Sequence, residues 1–269
     1  MFSCPTFKKV EFVDLLINAP YYGHLLNVSG AIGFKKINIT EAQQYELARR
    51  LGDVVNWLPN SEYSDPPIPP MYETFESELS NKTPRKKLLV EWDMGLTQQN
   101  QSVGSLINNI VFSCSKQSGS TLMIDMRRIF SLLKHDFWKT FISQISWVNT
   151  QTKINGRLVK NHRNTNQPIL QFSDDFVVQS NSQTQLNSNY KFFIDGRELD
   201  QEEIKLLIEI MDNIIDHIYV CNLNLIEEWK WDEKDLLIID NSCMLQATKG
   251  GFKLGARITH IQKCAEIIR

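Results

Sequence analysis

The C-terminal part of the chain carries polar residues whose types suit an anion better than a metal ion. Asp240 and Asn241 end an apolar run, Gln246 follows, and Arg257 comes eleven residues after Gln246. A guanidinium group can bind a carboxylate through two parallel hydrogen bonds. The neutral amide of a glutamine, in contrast, is a poor substitute for an imidazole on a first-row divalent metal. An arginine near the end of a chain is more often part of a surface ion pair, so residue type alone assigns no ligand to Arg257.

A second group of polar residues lies within an apolar run at residues 88–96. Glu91 and Asp93 flank Trp92, and Gly95 follows. Alternate residues of a strand point to the same face, so this spacing allows both carboxylates to meet one ion. Carboxylates are ligands that Mg²⁺, Ca²⁺ and Mn²⁺ prefer. The alternative is a strand-end carboxylate that accepts hydrogen bonds from backbone amides.

These stretches resemble the Fe(II)/2-oxoglutarate oxygenases of the taurine dioxygenase and clavaminate synthase-like family. The family's closing strands contain a tryptophan, a strand ending in Asp-Asn, the distal iron-binding histidine and, about eleven residues later, the arginine that binds 2-oxoglutarate. Residues 104–130 resemble the family as well, with a strand, Gly119-Ser-Thr121, a short strand ending in Asp125-Met126, and a helix. The resemblance spans roughly residues 28–262. It implies a mainly β fold with flanking helices and a double-stranded β-helix (jelly-roll) core.

The resemblance also shows that the slots for iron ligands are altered. Gln246 stands in the distal histidine slot, Asp93 in the first histidine slot and Gly95 in the acidic slot. In an alternative register Glu91 and Asp93 form the pair, which again supplies no imidazole. A triad of two histidines and one carboxylate cannot be assembled from these positions. We therefore expect ordinary Fe(II) and 2-oxoglutarate turnover to be lost or altered.

The two contacts that the family makes to the distal carboxylate of 2-oxoglutarate are both retained. Thr121 matches the family's threonine and Arg257 its arginine. The resemblance thus implies that 2-oxoglutarate or a similar carboxylate still binds. Alternatively, Thr121 is an ordinary strand former, and the pair only satisfies buried polar groups of the barrel.

Three histidines outside the altered slots are expected to be structural. His162 lies in a segment that resembles the family's hairpin with a His-Pro-x-Thr-Gly turn. His217 ends a helix, where a protonated imidazole favours the helix dipole. His260 follows Arg257 by three residues, a position where the family often has a structural histidine.

The elements that must position these residues are partly visible in the sequence. Thr40 with Gln43 predicts a capped helix over residues 40–52, and Asp200 with Glu203 predicts one over residues 200–217. Six prolines break the segment 56–86, and the segment 173–190 is rich in Ser, Gln and Asn. We expect a single domain over residues 1–269, with these two segments as lid-like or flexible loops.

Composition excludes several classes of function. The 29 basic and 31 acidic residues are interspersed, which disfavours nucleic acid as a partner. The five cysteines show no paired spacing, which favours the reducing cytoplasm. No apolar run approaches the roughly 20 residues that span a bilayer, so no membrane association is expected. Motifs of nucleotide-binding loops, serine hydrolases and zinc proteases are absent.

Three hypotheses about function follow. The first is a diverged oxygenase-like protein that binds a small carboxylate ligand, or acts in a biosynthetic pathway, without ordinary Fe(II)/2-oxoglutarate turnover. The second is an active oxygenase of a small molecule that uses non-standard metal ligands. The third is a non-catalytic subunit or scaffold that binds a protein partner or forms an oligomer. Whether the chain is an enzyme stays open in the sequence.

Overall fold

The computed structural model of the protein describes residues 4–37, 39–54, 108–113, 120–180, 183–218, 225–232, 234–249 and 259–267. Glu91, Asp93, Gly95 and Arg257 lie outside the described residues, as does the proline-rich segment 56–86. What the sequence predicts for them therefore stays a prediction.

Helices and strands alternate irregularly along the described parts of the chain. The α-helices are α1 (Phe12–Ile17), α2 (Ala19–Ser29), α3 (Glu41–Leu51), α4 (Met126–Leu132), α5 (Asp136–Gln144) and α6 (Gln201–Asp216). The strands are β1 (Thr6–Lys8), β2 (Ala31–Lys35), β3 (Gly52–Val54), β4 (Asn108–Ser113), β5 (Ser120–Asp125), β6 (Ile145–Asn149), β7 (Asn155–Arg157), β8 (Val159–Asn161), β9 (Pro168–Leu170), β10 (Val177–Ser180), β11 (Gln183–Leu186), β12 (Tyr190–Ile194), β13 (Arg197–Glu198), β14 (Ile226–Lys230), β15 (Asp235–Asp240), β16 (Met244–Lys249) and β17 (Thr259–Ile267).

Two sheets form the centre of the fold. The large sheet has the strand order β1-β2-β15-β4-β17-β3, and the small sheet has the order β14-β5-β16. All of these neighbours are antiparallel except β1 and β2, which are parallel. Strands from both ends of the chain thus alternate within one sheet, as the predicted jelly-roll core requires.

The large sheet is covered on both faces, which explains why β15 is buried along its whole length and is apolar between its two terminal aspartates. Leu236 and Ile238 pack in a cluster with residues of α1, α2 and α3. Leu237 and Ile239 point the other way, into the main core that includes the small sheet. A strand buried on both faces is expected to be a continuous apolar run. The inner face of the large sheet therefore faces the small sheet.

The two helices predicted from capping boxes are confirmed. The backbone N–H of Thr40 donates to Gln43 Oε1 at 2.8 Å ahead of α3. At the start of α6, Asp200 Oδ1 accepts from the backbone N–H of Glu203 at 3.0 Å, and Glu203 bonds back. α3 ends at Leu51, directly before Gly52, which the sequence predicts as the stop of the helix and which begins β3. The buried face of α6 consists of Leu207, Ile210, Met211, Ile214 and Ile215.

Between β5 and β14 the chain builds further β-structure beside α4, α5 and α6. It contains a four-stranded sheet, β13-β12-β6-β7, and the two hairpins β8–β9 and β10–β11. The β8–β9 hairpin is the one predicted around His162. The β10–β11 hairpin lies within the predicted loop 173–190, and a covering role for that loop stays a prediction. Within the described residues, no helix has the length and apolar character needed to cross a membrane.

Candidate functional site

The inner face of the small sheet carries the sequence-predicted site residues that the structure describes. Across its strands, Thr121 on β5 pairs with Trp229 on β14. Two residues further along β5, Met123 pairs with Glu227 on β14 and with Gln246 on β16. Paired residues, and residues two apart on a strand, lie on the same face. The structure therefore brings Thr121 and Gln246 to a single face.

The ring of Trp229 shows which way this face points. Gly33 lies on the inner face of the large sheet, and a Cβ built on it would come within 2.2 Å of Trp229 Cζ3. The two sheets are in direct contact here because residue 33 has no side chain. The face that bears Thr121 and Gln246 thus points into the space between the two sheets.

We predict that Gly33→Ala destabilises the protein by about 1–3 kcal/mol, the usual range for an overpacked core. The added methyl group meets an indole ring that is 5% exposed and cannot move into solvent. Urea unfolding of the variant measures the loss. The double variant with Trp229→Leu should recover part of it; if it recovers none, the ring is not what limits residue 33.

Thr121 keeps a hydrogen-bond donor in this space. Its side chain is buried, and Oγ1 accepts a hydrogen bond of 2.9 Å from Trp231 Nε1. A hydroxyl can both accept and donate. Within the described residues this hydroxyl donates to no other group, which leaves its hydrogen for a ligand oxygen. Trp231 thereby orients the donor, a partner that the sequence did not suggest.

Gln246 is half-buried on the same face and next to the thioether of Met123 in register. Its amide forms no hydrogen bond to any residue in the described part of the chain. An amide oxygen is a neutral, weak ligand for Fe(II), and no imidazole takes its place here. Of the three positions that match the family's iron ligands, Gln246 is the one that the structure describes, and its amide is a poor ligand for iron.

The charges at this end of the sheets are already compensated. Lys35 Nζ lies 4.3 Å from the centre of the Trp229 ring and bonds Asp235 Oδ2 at 2.5 Å and the Lys230 carbonyl at 2.6 Å. Lys35 is thus held by a buried carboxylate and is not available to a ligand anion. On the inner face, burial raises the pKa of Glu227, although the backbone N–H of Cys4 opposes this effect.

A buried cluster of His162, Asp240 and Cys243 is the one group of three possible metal ligands within the described residues. His162 Nε2 lies 2.9 Å from Asp240 Oδ2, and Nδ1 accepts from the Thr165 backbone N–H at 3.2 Å. A backbone N–H can only donate, so Nδ1 is unprotonated and Nε2–H donates to Asp240. Both ring nitrogens are therefore occupied.

The remaining members of this cluster do not offer a metal site either. Asp240 Oδ1 accepts from the Ser242 backbone N–H at 2.9 Å and from its hydroxyl at 2.6 Å. Burial, together with the negative charge of Asp240, raises the pKa of the Cys243 thiol well above its ordinary value. The thiol is thus protonated. The cluster is a satisfied structural network, as expected for His162.

A second buried network adjoins the first. Arg127 bonds Asp125 through Nε at 2.9 Å and through a terminal nitrogen at 2.8 Å. Its two terminal nitrogens also donate to the carbonyls of Asn27 and Val28 at the end of α2. Asn164 of the β8–β9 hairpin bonds the Asn27 side chain at 2.8 Å. These contacts tie α2 and α4 to the hairpin.

Sequence reasoning missed both networks. The sequence predicts Asp125 only as the end of a strand, although an aspartate directly before a helix is a recognisable N-cap signal; its side chain accepts from the Arg127 backbone N–H. His162 and Asp240 are 78 residues apart, and no local pattern joins them.

The comparisons with known proteins agree with this fold. Residues 13–264 match the family model described as Taurine catabolism dioxygenase TauD, TfdA family. No curated protein matches the chain.

Several solved structures are similar in fold. A candidate alpha-ketoglutarate-dependent taurine dioxygenase from Burkholderia xenovorans has a TM-score of 0.68 at 13% identity, over 99% of this chain and 88% of its own. A taurine dioxygenase from the same organism has a TM-score of 0.62 at 14% identity, over 92% and 82%. AAD-2, solved with Mn(II) and N-oxalylglycine, has a TM-score of 0.57 at 15% identity, over 92% and 87%. The mainly β, jelly-roll fold class is confirmed.

Proposed function

Because the chain belongs to the Taurine catabolism dioxygenase TauD, TfdA family, we propose that it is a diverged member which binds a small carboxylate ligand between its two sheets. We propose that it does so without ordinary turnover of Fe(II) and 2-oxoglutarate. The observation that carries it is the inner face of the small sheet, where Thr121 keeps a free hydroxyl hydrogen and Gln246 offers only an amide.

Thr121 supports the carboxylate part of the proposal. Its oxygen accepts a hydrogen bond from Trp231, so its hydrogen is left to donate to a ligand. Arg257 is the residue that we propose for the opposite contact, on the strength of its match to the family's arginine. A guanidinium group beside a hydroxyl suits the planar shape of a carboxylate.

Gln246 supports the metal part of the proposal. The buried histidine of the described region, His162, has both ring nitrogens engaged and cannot replace a ligand at Gln246 without breaking its bond to Asp240. A working oxygenase would need ligands from elsewhere, such as Glu91 and Asp93 with a further histidine. A calorimetric titration distinguishes the proposed function from such an oxygenase and from a purely structural subunit.

The experiment is a calorimetric titration of 2-oxoglutarate into the metal-stripped protein, repeated anaerobically with Fe(II). AAD-2 is described with N-oxalylglycine, which also carries two carboxylates and serves as a second probe. Binding without metal supports the proposal. Binding only with Fe(II), accompanied by succinate formation, supports the oxygenase reading. The absence of binding in both titrations supports a scaffold.

We predict that Thr121→Val weakens metal-free 2-oxoglutarate binding about tenfold or more, since a hydrogen bond to a charged group contributes about 1.5–3 kcal/mol. Arg257→Ala should weaken it further. Thr140→Val on the exposed side of α5 and Arg50→Ala on α3 are matched controls that should leave the affinity unchanged. Equal affinities for Thr121→Val and the unsubstituted protein would remove Thr121 from the site.

A further inference from the structure

A cavity lies away from the small sheet, in the β-structure between β5 and β14. It has an open mouth and a volume of 310 Å³, near the lower end of the range for small-ligand sites. Its wall is formed by the ends of β6 and β12 and by the turns beside them. Neither Thr121 nor Gln246 belongs to its wall. The cavity is therefore distinct from the proposed carboxylate pocket.

The base of the cavity is aromatic. Trp147, Phe176 and Tyr190 are all buried, and their ring centres are 5.0–5.8 Å apart. The rings pack edge to face or tilted against one another, so they do not surround a central space as the faces of a cation-binding cage do. They form instead a compact apolar base at the bottom of the cavity.

The Trp147 indole also leaves a donor without a partner. Its Nε1 is buried and has no hydrogen bond within the described residues. The indole packs against Gly156, where a Cβ would lie 3.1 Å from Nε1, so residue 156 has no room for a side chain. A buried, unpaired N–H costs about 1–3 kcal/mol, and Gly156 does not line the cavity, so this nitrogen is a cost to the fold and is not counted among the groups that bind a ligand.

The rim of the cavity is built from side-chain amides whose geometry is fixed. Asn149 Oδ1 accepts from the backbone N–H groups of Gln151 and Thr152 at 2.9 and 3.0 Å. Gln151 Nε2 donates to Asn189 Oδ1 at 3.0 Å. Asn187 donates to the Asp175 carbonyl at 2.8 Å and accepts from the Asn189 backbone N–H. The rim is thus ordered before a ligand arrives.

These bonds leave a defined set of groups for a ligand. Gln151 Oε1 and the Asp175 carboxylate remain as acceptors, and Asn189 Nδ2 remains as a donor, none of them bonded within the described part of the chain. Among the described residues, no lysine, arginine or histidine lines the cavity, which disfavours an anion. A mixture of donors and acceptors above an apolar base suits groups that both donate and accept, and hydroxyls do so.

From this arrangement we infer that the cavity binds an uncharged ring rich in hydroxyl groups, the chemistry of a monosaccharide unit. The apolar face of the sugar ring lies on Trp147 and Tyr190, and its hydroxyls bond Gln151, Asn189 and Asp175. The ligand is either a free sugar or one unit of a glycan. The inference is independent of carboxylate binding between the sheets.

Saturation-transfer NMR on the full chain tests the inference. The probes are the methyl glycosides of glucose, galactose and N-acetylglucosamine, a tetrasaccharide of glucose, and choline as a cationic comparison. We expect saturable binding of at least one glycoside. The form that saturates at the lower concentration, glycoside or tetrasaccharide, identifies a free sugar or a glycan as the source.

Variants at the exposed rim test whether the glycoside binds in this cavity. Gln151→Ala should weaken glycoside binding about fivefold, the effect of one neutral hydrogen bond. Gln201→Ala, an equally exposed glutamine at the start of α6, should leave it unchanged. Asp175→Asn should retain glycoside binding, because the replacement keeps an acceptor. Thr121→Val should also retain it, which separates this site from the carboxylate pocket.

Three results would overturn the inference. One is that no glycoside saturates. Another is that glycosides bind equally well to the double variant Gln151→Ala, Asn189→Ala, whose fold is checked by circular dichroism. The third is that choline binds in preference to every glycoside and is lost in Asp175→Asn.

Discussion

Replacing Arg127 with methionine is expected to destabilise the protein by about 3–5 kcal/mol, the range for breaking one side of a buried ion pair. Asp125 is 6% exposed and would keep a charge with no cation opposite it. The carbonyls of Asn27 and Val28 would lose their donors in the same step. Methionine retains an unbranched side chain of similar length, so little of the loss comes from packing. Equilibrium unfolding in urea measures it.

Two further variants serve as controls for the Arg127→Met result. Arg50→Met removes an exposed pair with Glu46 and should cost less than about 1 kcal/mol. The double variant Asp125→Asn, Arg127→Met should be more stable than the sum of its single variants predicts, because the neutral amide needs no cation. A loss for Arg127→Met no larger than that for Arg50→Met would show that the Asp125 carboxyl is easily neutralised or hydrated.

Restoring the family's ligand types at the three altered positions is expected to restore Fe(II) binding. The triple variant Asp93→His, Gly95→Asp, Gln246→His supplies two imidazoles and a carboxylate, which is the ligand set of non-haem Fe(II) oxygenases. We expect stoichiometric Fe(II) binding under anaerobic conditions, measured by calorimetry and metal analysis, where the unsubstituted protein binds none.

The single variant Gln246→His is the control for this experiment, because one imidazole on the inner face should not suffice to hold the ion. If the triple variant binds no iron, the geometry of the altered slots has changed along with the residue types. If the unsubstituted protein already binds iron stoichiometrically, its ligands lie outside the matched positions.

The local parts of the fold were predictable because their causes are local. The capping boxes of α3 and α6 involve residues three positions apart, and the apolar run of β15 shows burial on both faces. The resemblance to the family matches Gln246 to the slot of the distal histidine, which stays a prediction. The place of Gln246 beside Met123, with no hydrogen bond within the described residues, depends on strand register, which the sequence does not specify.

Other features depend on contacts between distant residues. Nothing near Gly33 in the sequence indicates that its missing side chain makes room for Trp229. The partner of Thr121 is Trp231, which is 110 residues away. The cavity above Trp147 combines three separate turns, and their amides looked like ordinary loop residues. The residues of such sites come together only when the sheets have formed.

The strand order of the large sheet also has a consequence for biosynthesis. β2 pairs with β15, so Ala31 to Phe34 meet partners about 200 residues further along the chain. At translation rates of about 5–20 residues per second, β2 is made on the order of ten seconds or more before β15. During that time this edge of β2 is an unsatisfied template for other strands. We therefore expect slow folding of the kind that long-range pairing imposes, and a dependence of the soluble yield on chaperones that shield nascent strands.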